Sequence, residues 1–355
     1  MHVACKNPTP GLRVMRVKIF ALVSFRNESK YLPIFLPVLS KYCDGLIGYD
    51  DSSEDNSRAE FMRFGGILLD ATFTSSGRGA TIEIRQSLLD LGRKLGGTHF
   101  VVADCDEIFA VESDIDLKRM IQNLKPRQRI ALSLVNIWGD ENHYCQHPDS
   151  LAPRLMDFAF CDSPDTQYVS SSNFVHFKRT PRPSEGFGAQ FCLPIDKAAV
   201  LHLSSLNMDS YQLKQAWYRV SERFYLGRSS RVINSTYKHT LPRAPLTAPT
   251  PTFWKNTLET FSYQIDDIRL QNNSASWHFK SIQEMFDSSG IKHFLNLDIW
   301  HIPELRDLYV DRMGEFPVPS HGSEQVEKFI DRIKYLRFQI KRKTLLKSLV
   351  SKVLK

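Results

Sequence analysis

Asp104 and Asp106 alternate around Cys105 in the run HFVVADCDEIF (residues 99–109), and Glu107 follows directly. Three carboxylates within four residues repel one another unless positive charge sits among them. Paired carboxylates are ligands for a hard divalent cation, Mn²⁺ or Mg²⁺, which prefers oxygen donors and completes its shell with phosphate and water. Two other polar groups have the same setting. Arg26-Asn27-Glu28 and Asp50-Asp51 also follow short apolar runs.

The elements that must position these groups alternate in type. Strands are expected at Val17–Phe25, Gly45–Tyr49, Gly66–Leu69 and His99–Ala103. Helices are expected from Glu28 to about Lys41, around Asp55–Phe64, and from Ala80 to Leu95, the last with Ile84, Leu88, Leu91 and Leu95 on one face. This alternation predicts an α/β fold with a mostly parallel sheet flanked by helices. Ligands bind such sheets at the carboxyl ends of the strands, where all three polar groups lie. Further on, Arg129–Ile137 and Ala198–Leu203 read as strands, and Ser210 to Leu226 reads as a helix. Residues 145–190 read as long loops with short strands, including Asn173–Lys178. A proline cluster (Pro242, Pro245, Pro249, Pro251) marks a linker, so three regions are expected: 1–240, a helical extension over 241–322, and 323–355.

Read in order, the segments ALVSFRNESKYLPIFL, IGYDDSSEDNS, GATIEIRQSLLDLG and VVADCDE resemble the opening strand and motifs of the family 2 glycosyltransferases, which use the nucleotide-sugar-binding GT-A fold. AVLHLSSLNMDSYQLKQAWY is similar to the late strand on which related enzymes carry a metal-binding histidine. Gln86 departs from the Asn usual in that family, and Ser53 replaces part of a Gly-Ser turn. The resemblance implies a GT-A (Rossmann-like) core with a helical C-terminal extension, a nucleoside-diphosphate sugar donor, and a glycan, lipid-linked or surface-polymer acceptor. It implies Asp106 as direct metal ligand, Asp104 bridging ribose and metal, and His202 as a further ligand. It also implies Asp50 and Asp51 on the base or ribose, Glu28 nearby, and Arg85 facing the nucleotide or diphosphate. Each position has a plainer reading: a capped turn for Asp50-Asp51, a surface ion pair for Arg85, a core imidazole for His202. An inverting hexosyl transfer needs a general base, for which Asp140 and Glu141, following Trp138 at a strand end, are the candidates. Two rivals remain. A phosphohydrolase of the haloacid dehalogenase type also ends a strand in Asp-x-Asp, but nearer the N-terminus and not followed by Glu-Ile; a sugar- or nucleotide-binding relative without activity is the other.

Composition narrows the setting. With 355 residues, 42% hydrophobic and 11% aromatic, the chain suits a folded soluble protein, and no apolar run approaches the roughly 20 residues of a membrane span. Six scattered cysteines without a CxxC pair suit a reducing cytoplasm rather than a disulfide or zinc framework. The net charge of +7 belongs to one end. Residues 323–355 hold ten Lys/Arg against three Asp/Glu, and the remainder is balanced. From Arg332 onward the tail has no acid and repeats apolar residues at helical spacing, which predicts an amphipathic basic helix lying on an anionic membrane surface. A helix docked on the protein itself is the alternative. A balanced body without a basic groove speaks against nucleic acid.

Overall fold

Apolar runs flanked by polar turns become buried strands in this chain because helices cover them from both sides. A computed structural model describes residues 17–73, 81–146, 154–169, 179–238, 247–270 and 276–316. The first half alternates as expected: β1 (Ile19–Phe25), α1 (Leu32–Ser40), β2 (Gly45–Asp50), α2 (Ser57–Arg63), β3 (Ile67–Leu68), α3 (Ile82–Lys94) and β4 (His99–Val102). All four β4 residues are buried, as are six of the seven in β1. β1 pairs in parallel with β2 on one side and β4 on the other, and β2 pairs in parallel with β3.

The second half adds β5 (Glu107–Val111), α4 (Leu117–Gln122), β6 (Arg129–Asn136), β7 (His143–Cys145), β8 (Arg154–Cys161), β9 (Thr166–Gln167), β10 (Arg182–Pro183), β11 (Gln190–Cys192) and β12 (Ala198–His202). The sheet runs in the order β3-β2-β1-β4-β8-β6-β12-β5, with β11 pairing β6. β8 is antiparallel to both β4 and β6, and β5 is antiparallel to β12; the other pairings in the sheet are parallel. The mostly parallel α/β architecture expected from the sequence is therefore present. β8 corrects the reading of residues 145–190 as loops with only short strands: it is eight residues long and sits between two core strands. The expected strand Asn173–Lys178 lies outside the described residues.

Helix α3 shows why the sheet closes tightly against its cover. Thr81 caps it by accepting from the Ile84 amide, and Ile84, Leu88 and Leu89 are buried against Phe20, Phe100 and Val102. Leu91 and Leu95 pack there only partly. Gly92 lies so close to the sheet that a Cβ would stand 2.4 Å from the Phe100 ring.

After β12 come α5 (Met208–Leu226), α6 (Ser230–Tyr237), β13 (Thr247–Pro249), α7 (Thr252–Glu259), α8 (Ser262–Arg269) and α9 (Trp277–Ser289). Trp254 and Leu258 of α7 and Ile265 and Ile268 of α8 belong to the same apolar cluster as the sheet. The chain forms two compact units, Met1–Ile302 and Pro303–Lys355. In the second, α10 (Pro303–Met313) places Arg306 and Tyr309 against the Phe316 ring. The basic segment 323–355 lies outside the described residues. Among the described residues, no helix is long and apolar enough to cross a membrane.

Candidate active site

The rim of the sheet is organised by turns that the backbone could not make unaided. Asn27 (φ 54°) and Ser52 (φ 63°) adopt left-handed conformations just beyond β1 and β2. Side chains join the two turns. Asn27 Oδ1 accepts the Glu54 amide at 2.6 Å, Ser57 Oγ accepts the Glu28 amide at 2.7 Å, and Asp55 Oδ2 accepts the Ser29 amide at 3.1 Å. Much of the DDSSEDNS stretch thus builds the wall that holds Glu28. Asp50 caps its own turn through the Ser53 amide and lies 3.5 Å from Arg58, while Asp51 is buried beside the end of β1.

Beyond β4 the chain turns tightly, with the Glu107 amide donating to the Asp104 carbonyl and the Glu107 carboxylate accepting the Asp104 amide. Asp106 and Glu107 are buried, whereas about half of the Asp104 side chain is exposed. Positive charge from distant parts of the chain offsets this cluster. Arg179 donates to Asp104 at 2.7 Å and forms a two-armed pair with Glu107. Lys214, on α5, reaches Asp106 Oδ2 at 2.7 Å. His202 Nε2 lies 3.2 Å from the same oxygen. The β5–β12 register, which pairs Glu107 with His202, and the Leu203 amide bond to the Asp106 carbonyl set that approach.

The electrostatics follow from this pairing. Burial alone would raise the Asp106 carboxyl, but Lys214 and His202 hold it well below the usual carboxylate range. The same burial would lower Lys214, and Asp106 instead keeps it firmly protonated. For Glu107, burial prevails over Arg179 and raises the carboxyl. Asp104 is lowered against its burial by Arg179 and Arg85. Burial pushes Glu28 up to about 8, with Lys214 opposing.

A cleft of about 310 Å³ opens beside Asp106, lined by Glu28, Lys30, Tyr211, Lys214, Trp277 and His278 among others. Trp277 stacks on His278 at 4.0 Å between ring centres, and the Arg26 guanidinium sits 4.9 Å from the Trp277 ring. The two aspartates face different surroundings: Asp106 meets α5 and the cleft, while Asp104 meets Arg179 and, through charge, Arg85 of α3. Among the described residues, the buried Nε of Arg85 has no hydrogen-bond partner. Gln86 accepts the Tyr168 amide at 2.8 Å.

Glu28, Asp104, Asp106, Arg85 and His202 therefore come together around the end of β4, with Asp50 and Asp51 at the neighbouring end of β2. Asp140 and Glu141 point elsewhere. Asp140 pairs with His143 at 2.8 Å, Glu141 pairs with Arg269, and neither lines the described cleft. The metal trio expected from the sequence is not assembled as such. Among the described residues no group of three or more His, Cys, Asp or Glu converges on one point. The donor atoms of Asp104, Asp106 and His202 suit Mn²⁺ or Mg²⁺, but each carboxylate is engaged by a cation of the chain. His202 Nδ1 lies 2.9 Å from Asn136 Oδ1 and its Nε2 lies 3.2 Å from Asp106, so both ring nitrogens are engaged by side chains of the protein. As arranged, these residues do not fit a bound divalent ion.

Arg179 and Lys214 were not legible as site residues. Arg179 follows a Pro- and Ser-rich stretch with no local signal. Lys214 stands within AVLHLSSLNMDSYQLKQAWY, where its twelve-residue separation from His202 gives no hint that both meet Asp106.

No protein-family model matches the chain, and no curated protein sequence is a match. Solved structures show partial likeness. A mannosyltransferase from Pyrobaculum calidifontis, in complex with GDP-Man and Mn²⁺, is 12% identical with a TM-score of 0.34, over 84% of this chain and 81% of its own. A cytidylyltransferase from Leptospira borgpetersenii is 13% identical with a TM-score of 0.32, over 72% and 99%. Glucosyl-3-phosphoglycerate synthase from Mycobacterium tuberculosis, in complex with Mn²⁺, UDP and its product, is 15% identical with a TM-score of 0.24, over 39% of this chain and about half (53%) of that one.

Proposed function

We propose that the chain transfers a sugar from a nucleoside-diphosphate donor to a hydroxyl of a glycan, lipid-linked or surface-polymer acceptor. The observation that carries this reading is Asp106. It lies in the turn just beyond β4, at the carboxyl-end rim of the sheet, is tied to His202 and Lys214, and adjoins a cleft walled by the β1–α1 turn, α5 and α9. The ordered motifs that resemble family 2 glycosyltransferases supply the class of reaction.

In the transfer, the acceptor oxygen bonds to the anomeric carbon while the bond from that carbon to the diphosphate oxygen breaks. The electron pair leaves with the diphosphate, and the hydroxyl proton passes to a base. Glu28 holds the place for that base in an inverting reaction, because it is the strand-end carboxylate facing the cleft, whereas Asp140 and Glu141 are committed to His143 and Arg269. Lys214, on the cleft wall, would stabilise the charge that the diphosphate acquires, with Arg85 adding positive charge from the Asp104 side. Asp50 and Asp51 belong to the nucleoside end. In the proposal, residues 1–240 carry the acids and Lys214, the helical extension 241–322 adds α9 to the cleft wall, and 323–355 hold the protein on an anionic, cytoplasmic membrane face.

A panel of nucleotide sugars, scored by thermal shift and by slow donor hydrolysis with Mn²⁺, Mg²⁺ or chelator present, tests the reading. At least one donor should stabilise the protein and be hydrolysed. Silence with every donor, together with cleavage of simple phosphate esters, would replace the transferase reading with a phosphohydrolase.

A further inference from the structure

The carboxylates at the end of β4 are matched by nitrogen atoms of the chain itself. Asp106 has Lys214 at 2.7 Å and His202 at 3.2 Å. Asp104 has Arg179 at 2.7 Å, and Glu107 is held by the same guanidinium. These are the positions that a divalent cation would take, since a second positive ion placed on Asp106 would be repelled by the ammonium already there. Lys214 is not sealed in by its partner. Its side chain is 22% exposed and forms part of the cleft wall. An ammonium carries three donor hydrogens, so one can hold Asp106 while the others face a ligand. On the Asp104 side of the same strand end, Arg85 has a buried Nε without a hydrogen-bond partner among the described residues.

On the sugar-transfer reading, these groups have a specific use. We propose that Lys214, supported by Arg179 and Arg85, supplies the positive charge that binds a nucleoside diphosphate here, so that donor binding and transfer proceed without a divalent cation. The ammonium donates hydrogen bonds to diphosphate oxygens as the bond to the anomeric carbon breaks and its electron pair moves onto the diphosphate. No proton need leave Lys214, because the charge itself stabilises the departing group. Asp106 then acts as a positioning residue. It fixes the ammonium and keeps it protonated, where a metal ligand would instead bind the ion.

Calorimetric titration of the full chain with UDP and GDP, in EDTA and in Mn²⁺, tests this directly. At least one nucleotide should bind in EDTA with a Kd within about threefold of its value in Mn²⁺. Lys214→Met should weaken binding in EDTA by on the order of 30-fold or more, and Mn²⁺ should recover part of that loss because the variant vacates the position on Asp106. Arg85→Gln breaks none of the ion pairs seen among the described residues, so it tests the same charge with less risk to the fold, and should weaken binding about tenfold. Lys214→Arg should retain most of the affinity. Binding by the wild type only in Mn²⁺ would overturn the inference and leave the sugar-nucleotide reading standing. Wild-type affinity in both Lys214→Met and Arg85→Gln would do the same. Failure of either nucleotide to bind in either buffer would remove that reading, and the inference with it.

Discussion

Replacing Asp106 by Asn removes one partner of a largely buried ion pair at the strand rim. The Asp106 side chain is 3% exposed, and Lys214 Nζ lies 2.7 Å from its Oδ2. At an effective dielectric of about 20, that separation corresponds to about 6 kcal/mol of Coulomb attraction before the cost of burying both charges is subtracted. The net value is smaller, but removing one member leaves the other buried and uncompensated, at a cost of about 3–5 kcal/mol. Asp106→Asn and Lys214→Met should therefore each lower the urea midpoint followed by tryptophan fluorescence. The double variant should lose less than the two losses added, with a coupling of at least about 1.5 kcal/mol. The exposed pair Lys197–Asp114 is the control and should show no measurable coupling. Additivity within about 0.5 kcal/mol at Asp106 and Lys214 would refute the claim that these side chains neutralise each other in the fold.

Glu28 gives a pH signature. Its carboxyl is raised from 4.5 to about 8, so its contribution to stability is complete below 4.5 and is lost as pH rises through about 8. Glu28→Gln should remove this slope, gaining on the order of 3–5 kcal/mol over wild type between pH 5 and pH 9 in denaturant titrations; parallel curves would contradict the burial argument. Gly92→Ala should destabilise by about 1–3 kcal/mol although alanine favours helices, because the new Cβ meets Phe100 at 2.4 Å. A rise in melting temperature would show that the helix can back away from the sheet. Truncation after Ser323 should release the protein from anionic vesicles in a sedimentation assay, and unaltered sedimentation would reject membrane attachment through the tail.

The first half of the fold was legible because its strands are unbroken apolar runs buried on both faces and its turns announce themselves with Asn, Asp and Ser. β8 escaped notice because Arg154 and Asp157 interrupt its apolar pattern and its first half is only partly covered. Asp157 sits there because Arg129 of β6 reaches it at 3.0 Å, a partner 28 residues away. β5 was obscured in the same manner. It opens with a buried carboxylate, Glu107, which is tolerable in a strand only because Arg179 arrives from 72 residues further on. In the candidate site, acids that follow strands were readable from local pattern. The cations that answer them were not, since Lys214 and Arg179 belong to the site through tertiary contact alone. Asp140 and Glu141 show the converse: a carboxylate after a strand is a local signal, but that His143 and Arg269 pair with them is set by tertiary contact.

The central claim is that the rim around Asp106 binds a nucleotide sugar and cleaves its bond to the sugar. Its most direct test is donor hydrolysis by wild type and Asp106→Asn, measured as nucleoside diphosphate released from the donor that gives the largest thermal shift. Wild type should release the diphosphate steadily, and the variant should lose roughly two orders of magnitude or more with its fold retained by circular dichroism. Equal release by the two proteins would place the chemistry elsewhere and contradict the account.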